Sequence, residues 1–254
     1  MKQYKKNYEL KNAAKDVLEE KYGGAVLIVF LGGLISGTLN FFIRTVAGAT
    51  LGTVYAMTGS MGAATAVSFV FDAIALATGI MMGVMDAGIA LYFLNIACGQ
   101  PFSVRNLFYC FQSDSRKALA ISAAMTVNQA LCLWPGQYLF QYYRNTGETK
   151  WLLLALSVLA AGLCVYIPVS LSIALSFYLM LDFPGNSGKE TLRLSWRVMK
   201  GHRMRLFLLN LSFLPLMLLC VLSFGIGFLW LIPHMHMVYT YFFLDLMNPK
   251  ETAA

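Results

Sequence analysis

The sequence predicts an all-α, polytopic transmembrane helical bundle of about six spans with short cytosolic amphipathic helices. Three observations carry that expectation. Of 254 residues, 58% are hydrophobic and only 12% charged, where an average soluble domain is about 25% charged, and the mean hydropathy is +0.64. Several apolar runs reach the roughly 20 residues that a helix needs to cross a bilayer. Threading the chain back and forth through those runs leaves Arg44, Arg144 and Lys150 on one side and the other sixteen Lys and Arg on the opposite side. By the positive-inside rule the second side is cytoplasmic and holds both termini. So small a chain has too little interior to hide this much apolar surface. An ordinary soluble enzyme, a disordered chain and a secreted disulfide scaffold are thereby excluded. The net charge of +7 sits beside apolar runs, so its natural partner is a membrane surface rather than nucleic acid.

The elements follow in order. Residues 1–23 read as a cytosolic amphipathic helix, because Leu10, Ala13, Ala14, Val17 and Leu18 recur on one helical face. Glu9, Asp16, Glu19 and Glu20 lie among its lysines, which is unlike a cleavable signal peptide. Residues 24–247 form the membrane domain and 248–254 a cytosolic tail. The first span is Gly24 to Ile43, closed by Arg44. The stretch from 46 to 66 is rich in Gly, Ala, Thr and Ser and reads as an outer loop or re-entrant piece. Further spans follow at Val67 to Ile96, Ala118 to Phe140, Trp151 to Leu181 (bent at Pro168) and Leu206 to Phe224. Gly225 and Gly227 then turn the chain into a sixth span, Phe228 to Met247.

Two more cytosolic segments repeat the amphipathic pattern of the N-terminus. Ser103 caps a stripe of Val104, Leu107, Phe108 and Phe111. Ser187 and Glu190 have capping-box spacing ahead of Leu192, Ser195, Trp196 and Met199. Arg193, Arg197 and Lys200 lie on the other face of that third helix, with Arg203 and Arg205 just beyond it. Together these cations are candidate contacts for anionic lipids of the cytosolic leaflet.

The last third of the chain carries a recognisable line of residues. Ser195, Met199, Lys200, Gly201, Phe207, Leu211, Ser212 and Phe213 lead to Gly225-Ile226-Gly227, Trp230, Pro233, Tyr241 and Phe242. Earlier come Leu107-Phe108 with Phe111, and Ile167-Pro168 ahead of Asp182 and Pro184. Over residues 80–247 the chain resembles a bacterial multi-span membrane family, domain-of-unknown-function family nine-seven-five, common in low-GC Gram-positive bacteria. His234 departs from the tyrosine expected after the proline, and Leu119 to Leu154 departs in length. The resemblance implies a cytoplasmic-membrane protein and supplies no activity.

Asp86 is the sharpest candidate for chemistry, because a carboxylate inside a bilayer is costly and faces protein or water. Asp72 lies 14 residues earlier on the same helix, roughly 21 Å away, so the two cannot share one proton or ion. His234 and His236 alternate with Met235 and Met237, a donor set that copper accepts. On a helix, however, positions i and i+2 point about 200° apart, so a proton-accepting or solute-facing histidine is preferred to a metal site. Asn210, and Asn128 with Gln129, either bond across helices or line a cavity. Gly33-xxx-Gly37 and Gly79-xxx-Gly83 permit close helix packing, within the bundle or in a homodimer. No catalytic, nucleotide-binding or zinc motif is present, no cofactor is implied, and no segment outside the membrane is long enough for a catalytic domain. The leading expectation is a non-enzymatic interaction or lipid-binding membrane component. The alternative is a small transporter or exporter subunit with a midplane site at Asp86, Asn210, His234 and His236.

Overall fold

The computed structural model describes residues 2–248 and 250–251. It is 85% helical, with five helices long and apolar enough to cross a membrane. The N-terminal helix α1 (Asn7–Leu18) leads into two antiparallel helical hairpins. The first is α2 (Tyr22–Thr58) with α3 (Met61–Ala97); a 3-10 turn (Val104–Phe108) and α4 (Tyr109–Gln112) follow it. The second is α5 (Ser115–Thr146) with α6 (Thr149–Ile173), which continues after a break as α7 (Ser176–Asp182). Next comes α8 (Gly188–Val198). A third hairpin pairs α9 (Arg203–Leu211) and α10 (Leu214–Leu222) with α11 (Phe228–Met247). Two residues at either end, β1 (Lys2–Gln3) and β2 (Lys250–Glu251), pair antiparallel. The first and last described segments therefore lie together. Residues 249 and 252–254 of the expected tail lie outside the described residues.

The expected outer loop is instead helix. α2 runs unbroken to Thr58, and α3 starts at Met61. Thr45, Thr50 and Thr58 each return their hydroxyl to the carbonyl four residues back, so these polar residues satisfy themselves without leaving the helix. The reversal needs only Gly59, whose φ of 61° is left-handed, and Ser60, whose side chain accepts the Ala63 N–H. Composition alone read this small-residue stretch as a loop because it is weakly hydrophobic, yet Ala is the best helix former. At 1.5 Å per residue each 37-residue helix is about 55 Å long, well beyond a hydrocarbon core of about 30 Å.

Small residues let helices approach closely, α3 to α5 between the first two hairpins and α5 to α6 within the second. A Cβ at Gly83 would overlap the Ser122 side chain, and one at Gly162 would overlap the Cys132 carbonyl. Ser122 uses the same close approach to donate to the Ile80 carbonyl, 2.7 Å away. Gly79 of the predicted pair also meets Thr126 on α5, whereas Gly33 and Gly37 face open space. Only one of the two glycine pairs packs within this chain.

The amphipathic segments dock on protein. Leu10, Ala14 and Leu18 are fully buried in a core shared with Met237, Val238 and Phe242 of α11. α1 runs back along α11: the Lys5 N–H reaches the Asp245 carboxylate (3.2 Å), and the Tyr22 hydroxyl reaches the Trp230 carbonyl (3.5 Å). On α8 the capping box forms as expected, and the exposed Glu190 carboxylate is held below its usual range by the Ser187 backbone N–H. Ser195 and Met199 of the expected stripe are buried and Leu192 packs against the core, with Thr191 buried beside them, while Trp196 departs from the stripe at 43% exposure. The apolar faces were matched to neighbouring helices, a periodicity that a lipid surface would equally have demanded.

α11 falls outside the five apolar spans although its 20 residues reach about 30 Å. Pro233, His234, His236 and Asp245 lower its hydropathy. It is nonetheless deeply packed, with Leu231, Met237, Val238, Thr240, Phe242, Phe243 and Leu246 all buried.

Candidate functional site

The candidate site lies where the second and third hairpins meet α3. Asp86 stands on α3 between Met85 and Ala87, which are 2% and 0% exposed, yet Asp86 itself is exposed. It borders a cavity of about 300 Å³. Ala90 lies one turn along the same helix. Ser170, Ala174 and Leu175 come from the end of α6, Phe177 and Tyr178 from α7, Leu206 and Asn210 from α9, and His236 and Tyr239 from α11. Eleven residues, about 16 Å, separate Asp86 from the end of α3 at Ala97.

Local sequence explains why a cavity forms here. Pro168 has no N–H to give the carbonyl four residues back. The helix then stops at Ala174–Leu175 before resuming as α7. Ser172 bonds the Pro168 carbonyl, and the Ser195 hydroxyl of α8 reaches across to the Ser172 carbonyl at 2.8 Å. Those bonds satisfy backbone polarity freed by the break, the condition for irregular backbone within a bundle. The neighbouring Ser176 hydroxyl is buried with no partner among the described residues.

Several polar groups in the wall are tied down. The Tyr239 hydroxyl donates to Asn210 Oδ1. The Tyr178 hydroxyl is buried against the His236 carbonyl (3.5 Å) and Thr240 Oγ1 (3.3 Å). The His236 ring stacks on Phe93, centroids 5.4 Å apart and 11° from parallel. Asp86 has neither an ion pair nor a hydrogen bond among the described residues. Asp72, by contrast, accepts the Tyr138 hydroxyl of α5.

Three of the four predicted site residues thus converge: Asp86, Asn210 and His236 share one cavity. His234 does not join them. It points to the other side of α11, edge-on to Phe213 at 5.9 Å, which also separates the two imidazoles as a metal pair. No group of three or more metal-type side chains occurs among the described residues. Sequence reading missed Ser170, Phe177, Tyr178 and Tyr239. For Ser170, Phe177 and Tyr178 the one advance signal is the proline-broken fourth span, which exposes the residues that follow it, and Tyr239 on α11 had none. Asn128 lines a second cavity of about 210 Å³ that shares Ser170, Ala174 and Phe177 with the first, so the two chambers adjoin across the helix break.

The five basic residues beyond this site divide by exposure. Arg205 donates to Asp245 at 2.6 Å and to the Lys5 carbonyl at 2.6 Å, and lies against the Phe242 ring. Arg203 lies over Trp196, 4.6 Å from its centroid. Arg193, Arg197 and Lys200 remain exposed.

No curated protein and no solved structure matches the chain. A family model does, over residues 1–250, which is wider than the expected 80–247 and takes in α1 and the first hairpin. The helical bundle, its membrane-length helices and that full-length match agree: the chain belongs to the family described as protein of unknown function, DUF975.

Proposed function

We propose that this protein is a small, non-enzymatic solute carrier or exporter component of the bacterial cytoplasmic membrane, with its termini cytoplasmic. The observation that carries the reading is a carboxylate with no partner, Asp86, bordering a cavity beside a broken helix. An intramembrane acid that stabilised only the bundle would have a hydrogen-bond donor, as Asp72 has in Tyr138. Discontinuous helices beside a midplane polar group are the arrangement by which carriers expose backbone and side chains to a solute.

Cysteine accessibility tests this. Asp86→Cys and Ala90→Cys in sealed vesicles should react with a small water-soluble thiol reagent, followed peptide by peptide against the native cysteines. Leu153→Cys, which faces outward on α6 at 64% exposure, should not. Equal inertness at all three positions would remove the carrier reading.

A second reading rests on α8, where the exposed Arg193, Arg197 and Lys200 accompany the half-exposed Trp196. That combination suits an anionic headgroup layer. Native mass spectrometry should show phosphatidylglycerol retention falling in Arg193→Glu/Arg197→Glu. Undiminished retention would leave α8 as packing alone.

A further inference from the structure

We propose that the Asp86 cavity is selective for a small organic monocation, and that this ligand and a proton take turns on the one carboxylate. The inference rests on the carrier reading and names its substrate class.

The argument begins with charge. A bare carboxylate within a bilayer is expensive, so whatever binds Asp86 must cancel its charge. The titratable side chains facing it are Tyr178 from α7, and His236 and Tyr239 from α11; α6 and α9 contribute Ser170 and Asn210. None of these is a lysine or arginine, and no ion pair is made to Asp86 among the described residues. The molecule thus has an acidic position without a resident cation. Two things can fill that role reversibly: a proton on the carboxyl, or a cationic ligand beside the carboxylate. Each removes the reason for the other, so occupancy is exclusive and one cation exchanges for one proton.

The walls define the rest of the ligand. The two tyrosine hydroxyls and Asn210 Oδ1 are already engaged, so Tyr178 and Tyr239 add mainly ring surface. Phe177, Leu171, Ala174, Leu175 and Leu206 add apolar surface. Aromatic rings with one carboxylate suit a quaternary or protonated amine with an apolar body. An inorganic cation would want several oxygen ligands that this wall does not offer. A volume of about 300 Å³ sits at the small end of ligand pockets and is too little for a two-chain lipid.

The test uses the full chain in lipid nanodiscs and benzyltrimethylammonium as probe. Calorimetric titration at pH 5.5 and 7.5, in two buffers of different ionisation enthalpy, reads affinity and protons released together. Wild type should bind at least tenfold more tightly at pH 7.5 and release up to one proton per ligand at pH 5.5. Asp86→Asn should lose binding at least tenfold and release none, while Asp86→Glu, which keeps the charge, should retain both properties. Size-exclusion profiles matching wild type verify that the variants are folded. Benzyl alcohol is the uncharged control. If it binds and the cation does not, or if the cation binds Asp86→Asn as well as wild type, the cation–proton inference is overturned while the solute cavity stands. If neither probe binds and Asp86→Cys is also inert to thiol reagents, the carrier reading falls with it.

Discussion

Asp245→Asn is the perturbation whose consequence the structure defines most sharply. Asp245 is 6% exposed in its side chain, and its Arg205 partner 18%. The carboxylate takes the Arg205 guanidinium at 2.6 Å and the Lys5 backbone N–H at 3.2 Å. Arg205 also donates to the Lys5 carbonyl. One ion pair therefore joins the segment ahead of α1, α9 and the end of α11. Removing only the anion leaves a buried guanidinium uncompensated, which costs about 3–5 kcal/mol in fully buried pairs. The residual exposure of Arg205 favours the low end, about 3 kcal/mol. For a chain of this size each kcal/mol moves the melting temperature by about 2–4 °C, so a fall of about 6–12 °C is expected. The assay is thermal unfolding in nanodiscs, paired with hydrogen exchange across residues 2–18. Exchange should rise there first, because α1 is held at this end by that clamp. Arg205→Met/Asp245→Leu removes both charges and should recover most of the loss, since an apolar pair of like volume replaces a buried ion pair at little cost. A melting temperature within about 2 °C of wild type for Asp245→Asn, or a double variant no better than the single, would refute the reasoning.

Three further outcomes follow from named contacts. Gly162→Val should force α5 and α6 apart, because the new Cβ would overlap the Cys132 carbonyl; a loss of about 1–3 kcal/mol in thermal unfolding is expected. Ser187→Ala should lower stability by about 1 kcal/mol by removing the acceptor for the Glu190 N–H, with increased hydrogen exchange confined to the start of α8. The third concerns pH. Burial, with the neighbouring Arg205 cation, holds the His202 imidazole below its usual value of 6.5. The folded state thus binds its proton less readily than the unfolded chain, so the contribution of His202 is intact above pH 6.5 and is lost as pH falls through the lowered folded value. Since Tyr4 packs edge-on against His202 at 4.7 Å, exchange at residues 4–10 should rise at pH 5.5 relative to 7.5, after correction for intrinsic rate. His202→Gln should flatten that dependence.

Much of the architecture was legible because bilayers demand long apolar runs. Residues 67–96, 118–140 and 151–181 lie inside α3, α5 and α6 with α7, as hydropathy and Pro168 implied. Where the sequence misled, two physical states shared one pattern. Weak hydrophobicity at 46–66 fits a loop and equally fits an Ala-rich helix running past the hydrocarbon. The i, i+4 stripe of Leu10, Ala14 and Leu18 fits a lipid surface and equally fits α11. Only the partner distinguishes these cases, and the partner is remote in sequence. The candidate site divides the same way. Asp86 stood out because an acid in an apolar run is an energetic exception. Tyr178 and Tyr239 did not, since tyrosine is ordinary near membranes. Nothing local to Arg205 showed that its charge is held by a residue 40 positions later.

The position of α11 connects these points. The helix carries Pro233, two histidines and Asp245, and a helix bathed in lipid on all sides could not hold such a set cheaply. α11 can, because α1, α2, α3 and α10 pack around it and bury most of its length. The amphipathic helix α1 accordingly covers the polar helix rather than lying apart on the membrane surface. Shielded on that side, α11 is free to present His236 and Tyr239 to the cavity at Asp86. The clamp at Asp245 and the cavity wall at Tyr239 are then two functions of one helix, less than two turns apart. Loosening α1 should therefore alter the site as well as the fold. Asp245→Asn is expected to weaken benzyltrimethylammonium binding although the residue touches no part of the cavity, with Asp86→Cys becoming more reactive to thiol reagents. Unchanged binding and labelling in a variant whose α1 exchanges freely would show that the two ends of α11 act independently.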